Sequence, residues 1–305
     1  MTDVILHHYD ASPFTQRALR MLGIKGLAWR SVETPMMPPK DDLVALTGGY
    51  RGTPVLQIGA DVYIDSQRIA RELERRFPSP SLFPGGNTGL TYAMVKWSDA
   101  FFRTTLHISI ALTAEHWPAE FRKDREYLFP DVDFEQVTRD VTHAATQFRA
   151  HAGLIDQQLA DGRAFLAGDA AGLLDVHAHP FVWVARTYFP ELAVDLLRGF
   201  EHIEPWEQRV AALGEGQRNV IDAAEAFTVA RNAKPEASAG VEPDPLGLAA
   251  GDEVEVAPDD TRRGAARGAL VALDWNEVAI ARSHERCGEV VVHFPRLGYR
   301  VPRIA

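Results

Sequence analysis

The stretch Val4-Ile5-Leu6-His7-His8-Tyr9-Asp10-Ala11-Ser12-Pro13-Phe14 leaves few folds open. Residues 4–9 read as a short buried strand, and residues 10–13 as a turn. A helix follows from about Phe14, with Phe14, Ala18, Leu19 and Leu22 at helical spacing and Pro13 in its first turn. A strand that turns directly into a helix aims the free N–H groups of the first turn, and the positive end of the helix dipole, at one point. Ser12 stands at that point, so the turn is the first place to look for chemistry on an anionic or nucleophilic ligand.

The totals set the frame. At 305 residues the chain exceeds one ordinary core, and two or three domains are expected. A net charge of −10 argues against nucleic acid or an anionic membrane as partner. Cys287 is the single cysteine, which excludes an intrachain disulfide. No run of about 18 apolar residues and no basic-then-apolar leader is visible, so a cytoplasmic protein without a membrane partner is expected.

After the first helix, Gly23 and Gly26 supply a stop near Leu22. Residues 27–32 alternate as a second strand, and the proline-rich 35–39 is a stiff loop before a helical turn at 41–46. Residues 50–58 form a strand carrying Pro54 near its start; Gly59-Ala60 turn it into a hairpin partner at 61–64. Asp65-Ser66 then precede a helix over 67–77. The order is β-α-β-α-β-β-α.

Three motifs in this order carry a family likeness: Ser12-Pro13-Phe14 with Arg17, Arg51-x-Thr53-Pro54-Val55-Leu56, and Asp65-Ser66-x-x-Ile69. Together they resemble the cytosolic glutathione transferases, the serine-using classes of plants and bacteria above all. The resemblance is close over 4–77, looser over 90–230, and absent beyond. It implies an α/β thioredoxin-like N-terminal domain over 1–80 and an all-α helical-bundle domain over 88–232. It also implies glutathione as co-substrate, an apolar electrophile as second substrate, a homodimer and a role in detoxification; no metal is implied.

The resemblance assigns roles to individual residues. A thioredoxin-like redox centre needs a cysteine at the first helix, and Ser12 is not one. Its hydroxyl can instead donate to a bound thiolate and lower the pKa of glutathione's thiol from roughly 8.5; a plain helix cap would suit the same residue. Tyr9 stands where the tyrosine-using classes keep their hydroxyl, and a ring packed at the strand end is the alternative. Pro13, Phe14 and Arg17 complete the first motif. Thr53-Pro54 matches the family's cis-proline, whose preceding residue pairs with the peptide backbone of glutathione. Ser66 and the helix start behind it suit the γ-glutamyl carboxylate, with Asp65 facing its ammonium. Arg51, and secondarily Lys40, would take the glycyl carboxylate. Trp97, Phe101 and Phe102 on one helical segment would line the electrophile pocket, in a cleft between the domains, though aromatics at such spacing are also ordinary core. A metal centre fails on geometry. His7 and His8 point to opposite faces of a strand, and His177 and His179 diverge by about 200° on a helix.

Prolines 78, 80 and 84 mark a linker, after which 90–112, 134–159, 174–188 and 206–227 read as helices. Phe165-Leu166-Ala167-Gly168-Asp169 with Gly172 and Asp175 resembles the family's buried capping box, with Gly172 where the family has Ser or Thr. The linker 234–245 carries three prolines. Short strand signals beyond it, at roughly ten-residue spacing, predict a small all-β, barrel-like module over 246–305. It is expected to pack on the helical domain or a twin subunit and to supply nothing to the glutathione site. A non-catalytic, ligand-binding scaffold using this module to dock a partner is the competing functional reading.

Overall fold

A computed structural model describes residues 3–304; Met1, Thr2 and Ala305, at the ends of the expected terminal spans, lie outside the described residues. The chain runs β1 (Val4–His8), α1 (Pro13–Lys25), β2 (Ala28–Glu33), α2 (Asp41–Thr47), β3 (Val55–Ile58), β4 (Asp61–Ile64) and α3 (Ser66–Arg76). Then come α4 (Thr88–Thr113), α5 (Ala119–Leu128), α6 (Phe134–Arg139), α7 (Val141–Leu159), α8 (Leu173–Tyr188), α9 (Pro190–Leu197) and α10 (Ile203–Ala212). The last part holds β5 (Gln217–Val220), α11 (Ala223–Arg231), β6 (Gly240–Val241), β7 (Glu253–Pro258), β8 (Ala266–Leu273), β9 (Glu277–His284), β10 (Gly288–Pro295) and β11 (Tyr299–Arg300).

Two compact units result: residues 3–15, 27–75 and 217–304 form one, residues 16–26 and 76–216 the other. The first unit is the thioredoxin-like domain with the C-terminal strands added to its own sheet. Strand order is β11-β7-β8-β9-β10-β4-β3-β1-β2-β5, with β6 beside β8. The join is β10 against β4, parallel, with Val292 opposite Val62 and His293 opposite Tyr63. Asp61–Ile64 is buried on both faces, as a central strand must be. One apolar core runs through the unit: Leu46, Tyr50, Val55, Val62 and Ile64 pack with Val254, Leu270, Ile280, Val292 and Phe294.

This corrects the expected organisation of the C-terminal part. The strands beyond residue 246 do not form a separate barrel; their backbone pairing and their core are those of the N-terminal sheet. The physical reason is the open edge of β4, whose unpaired N–H and C=O groups β10 satisfies. Residues 217–227, expected to complete a helix over 206–227, are here as well. Gly214 and Gly216, at φ +67° and +77°, end α10, and β5 pairs in parallel with β2.

The second unit is all-helical. Phe101 of α4, Phe148 of α7, Phe181 of α8 and Trp206 of α10 are fully buried in its main core. Ile110, Phe129 and Phe134 form a smaller one. The start of α8 explains its unusual cap. Asp175 Oδ2 accepts the Gly172 N–H at 3.0 Å, while Oδ1 accepts from the Leu166 N–H at 2.9 Å and the Trp206 indole at 2.8 Å. A Cβ at position 172 would lie 2.6 Å from Pro84 Cδ, so neither Ser nor Thr fits. Burial raises the Asp175 pKa despite these three donors. The first helix continues through Gly23 to Lys25, beyond the expected stop. Gly23 is an approach point instead: a Cβ there would meet the Leu213 and Gly214 carbonyls at 2.5 Å.

Candidate active site

Strand register gathers three motifs of the first unit at one end of its sheet. His7 of β1 lies opposite Val55 of β3, and Val55 opposite Ile64 of β4. The chain therefore leaves β1 toward Ser12, enters β3 from Pro54 and leaves β4 toward Asp65, all at the same end. Ser12 is buried, and its Oγ accepts the Thr15 N–H at 3.3 Å, capping α1. That bond occupies an oxygen lone pair and leaves the O–H as a donor. The Thr53–Pro54 peptide is cis.

The turn carrying Ser12 is pinned by Arg218, a residue that the sequence did not single out. Arg218, one residue into β5, makes two 2.9 Å bonds to the Asp10 carboxylate, which hold its pKa below the ordinary range. The Arg218 guanidinium also stacks 5.2 Å from the Trp29 ring centroid. His8 bonds the Ser31 hydroxyl at 2.8 Å, and burial lowers its pKa to about 4. His7 bonds Gln57 Oε1 at 2.9 Å and is likewise lowered by burial to about 4. Both imidazoles are neutral near pH 7, and each serves its own sheet face. Tyr9 is half-buried with the Lys40 ammonium 5.2 Å from its ring centroid, a cation–π contact on the ring face.

At α3, Ser66 is buried in the first turn and Asp65 precedes it at φ +76°, the only positive φ of a non-glycine among the described residues. Such a conformation costs on the order of 1 kcal/mol and persists where neighbours enforce it. Asp65 Oδ1 accepts the Gln67 N–H at 2.9 Å, and Oδ2 accepts the Tyr299 hydroxyl at 3.3 Å. Arg51 is held by the loop between β7 and β8: its N–H donates to the Arg263 carbonyl at 2.7 Å, and its guanidinium to the Arg262 carbonyl at 3.3 Å. Gly52 between Arg51 and Thr53 is a packing requirement, since a Cβ would lie 2.3 Å from the Tyr50 hydroxyl. The C-terminal strands thus reach the motifs directly, contrary to the expectation that they supply nothing there. Arg282 extends the same support to α2, donating to the Leu46 carbonyl at 3.2 Å and to the Ala45 carbonyl near the helix end.

Arg17 and the expected aromatic residues belong to the helical unit. Arg17 is buried, neither solvated nor part of the Ser12 turn. It donates to Ser98 Oγ at 3.3 Å and stacks 5.4 Å from the Phe181 centroid. Trp97 lines a cavity of about 450 Å³ with Met94, Leu154, Leu166, Leu174 and His177. Phe101 is core instead, wedged between Phe148 and Phe181 at 5.0 Å each, and Phe102 packs toward Phe129. Their helical spacing carried no information to separate the two roles.

A thioredoxin-like unit with a serine capping its first helix, a cis-proline and an acidic-serine start to α3, joined in one chain to an all-helical unit, defines a glutathione-transferase-like protein. The family profile of the glutathione S-transferase N-terminal domain matches residues 6–81. Among solved structures, a GST-like protein from Pseudomonas syringae is 34 % identical, with a TM-score of 0.81 over 100 % of both chains, the C-terminal strands included. The Tau class glutathione S-transferase MiGSTU from mango, Mangifera indica, is 19 % identical with a TM-score of 0.52, covering 69 % of this chain and 89 % of its own, a likeness of fold alone. No match is found among curated proteins. The chain belongs to the cytosolic glutathione transferase superfamily.

Proposed function

We propose that this protein is a glutathione transferase: it binds glutathione in the first unit, stabilises its thiolate at Ser12 and conjugates or transfers it to an apolar electrophile. The observation that carries the reading is the convergence of Ser12, Pro54 and Asp65-Ser66 at one end of the sheet. The starts of two helices there supply N–H groups and positive potential to an anionic ligand. In the proposed complex the residue before Pro54 pairs with the ligand backbone. Asp65 and Ser66 hold the γ-glutamyl head, and Arg51, backed by Lys40, faces the glycyl carboxylate. Pro13 and Phe14 shape the turn.

The chemistry needs no covalent enzyme intermediate. The thiol proton passes to solvent, the Ser12 O–H donates to the sulfur anion, and sulfur forms a bond to carbon as the leaving group departs with its electron pair. Lowering a thiol pKa from about 8.5 toward neutrality raises the nucleophile fraction at pH 7, and holding both reactants together supplies the remaining advantage. A homodimer working in the cytoplasm is part of the proposal by family membership.

The competing scaffold reading draws on one observation, the Thr15 N–H bond to Ser12 Oγ, which is all a plain cap would make. Retention on immobilised glutathione together with thiol transfer to a panel of electrophiles supports the enzyme. Retention without transfer favours the scaffold, and failure of both overturns the glutathione reading.

A further inference from the structure

The loop at 259–265, between β7 and β8, lies outside the segment that the transferase N-terminal profile matches, yet it is built against the candidate site. Its backbone is seated tightly. A Cβ on Gly49 would lie 2.1 Å from the Ala265 carbonyl oxygen, and one on Gly264 would lie 2.3 Å from the Gly49 oxygen. Those two glycines, at φ +128° and +83°, allow a contact that no larger residue permits. The carbonyls of Arg262 and Arg263 meanwhile hold Arg51.

This seating brings the Arg263 guanidinium to the motifs. It lies 5.4 Å from the centroid of Phe14, two residues after Ser12. It is 3.7 Å from Asp260 Oδ2, and its charge acts on the Tyr50 hydroxyl and on Asp65. The side chain retains 18 % exposure, so it is sheltered without being sealed. Asp65, held by Tyr299, belongs to the same cluster of side chains and carries the opposite charge. A carboxylate and a guanidinium presented together are the complement of an α-amino-acid head, whose ammonium and carboxylate share one carbon. A guanidinium is the better partner for that carboxylate than a lysine, because its fork can bond both oxygens.

We propose that Arg263 is a specificity-determining residue of this site, pairing with the α-carboxylate of a γ-glutamyl head whose ammonium faces Asp65. The inference rests on the glutathione reading above and adds to it a residue from the C-terminal strands. On this account the added strands complete the peptide site as well as the sheet, and the protein discriminates among thiols by the zwitterionic end of the peptide.

The test uses full-length protein, calorimetric titration and three tripeptides: glutathione, 4-aminobutyryl-Cys-Gly, which lacks the α-carboxylate, and glutaryl-Cys-Gly, which lacks the ammonium. Arg263→Gln is expected to weaken glutathione and the glutaryl peptide 10- to 100-fold while leaving the 4-aminobutyryl peptide as wild type binds it. Arg263→Lys, which keeps the charge but loses the fork, should weaken the same two peptides by a smaller factor and leave the 4-aminobutyryl peptide unchanged, so it carries the same comparison should the glutamine variant fail to fold. Equal weakening of all three peptides would reduce Arg263 to a structural brace and overturn the proposal, as would no weakening at all. Wild-type protein that binds none of the three overturns the glutathione reading itself, a result distinct from either.

Discussion

The Tyr299 hydroxyl donates a 3.3 Å hydrogen bond to Asp65 Oδ2, across 234 positions of sequence. Asp65 is the residue held at φ +76°, and Tyr299 comes from the strand that ends the added sheet. The bond therefore links backbone strain at the start of α3 to a segment far beyond residues 6–81, where the transferase N-terminal profile matches. Tyr299 is fully buried, and burial together with Tyr50 and Asp65 keeps its pKa well above the usual phenol range, so it donates at any physiological pH.

Tyr299→Phe removes the donor and nothing of the ring. Asp65 then loses one of its two side-chain partners, and its orientation relaxes. Glutathione affinity should fall roughly five-fold, the equivalent of about 1 kcal/mol for one hydrogen bond, with turnover at saturation unchanged. Affinity equal to wild type in a calorimetric titration would show that Asp65 is set by Gln67 alone.

Ser12→Ala separates the two roles of one oxygen. Loss of the cap on α1 should lower stability by about 1 kcal/mol, readable as a small drop in Tm. Loss of the thiolate donor should lower turnover about 10²-fold, with glutathione affinity little changed. Tyr9→Phe, which keeps the ring under the Lys40 ammonium, should leave turnover near wild type, since on this reading Ser12 and not Tyr9 supplies the donor. A drop in Tm without a drop in turnover would make Ser12 a cap only, and a reversal of the two variants would move the chemistry to Tyr9.

Much of the N-terminal sheet was legible because its signals are local. The alternation of residues 27–32, the hairpin turn at Gly59-Ala60 and Pro13 at a helix start each speak within a few residues. The positions of Ser12, Pro54 and Asp65-Ser66 followed from that order. What was not legible depends on pairing at long range. Residues 217–220, Gln-Arg-Asn-Val, are mostly exposed and carry no strand pattern. Backbone bonds to β2 and the Arg218–Asp10 pair hold them. The β10–β4 join left one faint mark, the absence of an exposed face in Asp61–Ile64, and four residues are too few for that to decide. Arg263 carried only a weak mark: with Arg262 and Arg267 it forms a small basic cluster that reads as a solvated loop, and Gly49 and Gly264 bring it to Phe14.

Deleting residues 240–305 is expected to abolish soluble expression. The cut strips β10 from β4 and uncovers Val62, Ile64 and Leu46, all fully buried in the intact core. A bare strand edge beside an apolar face is an aggregation site. A truncated protein that stays soluble, monodisperse and as heat-resistant as the full chain would mean that the strands are dispensable to the first unit.

His293 makes the same join sensitive to pH. It lies on β10 opposite Tyr63 of β4, stacks on that ring at 4.6 Å, and bonds Asp61 at 2.9 Å and Glu277 at 2.5 Å. Burial opposes its charge, but the bonds to the two carboxylates outweigh burial and raise its pKa above 6.5. Arg68 faces the same cluster, 3.0 Å from Glu277, with Glu72 beside it. A raised histidine pKa contributes stability that is fully present below about 6.5, the unfolded value, and is lost as pH rises through the folded value. His7 and His8, lowered to about 4, have the opposite sign: their contribution is present above the unfolded value and is lost as pH falls toward 4. Thermal melts of wild type and His293→Gln across pH 5.5 to 9, a range of roughly three units about the histidine value, isolate the first effect. The gap in Tm between the two proteins should be widest at the acid end and should narrow as pH rises, because deprotonation removes from wild type what the substitution has already removed from the variant. A gap that stays constant, or widens toward alkaline pH, would show that His293 is neutral in the native protein and that Asp61 and Glu277 hold the join without it.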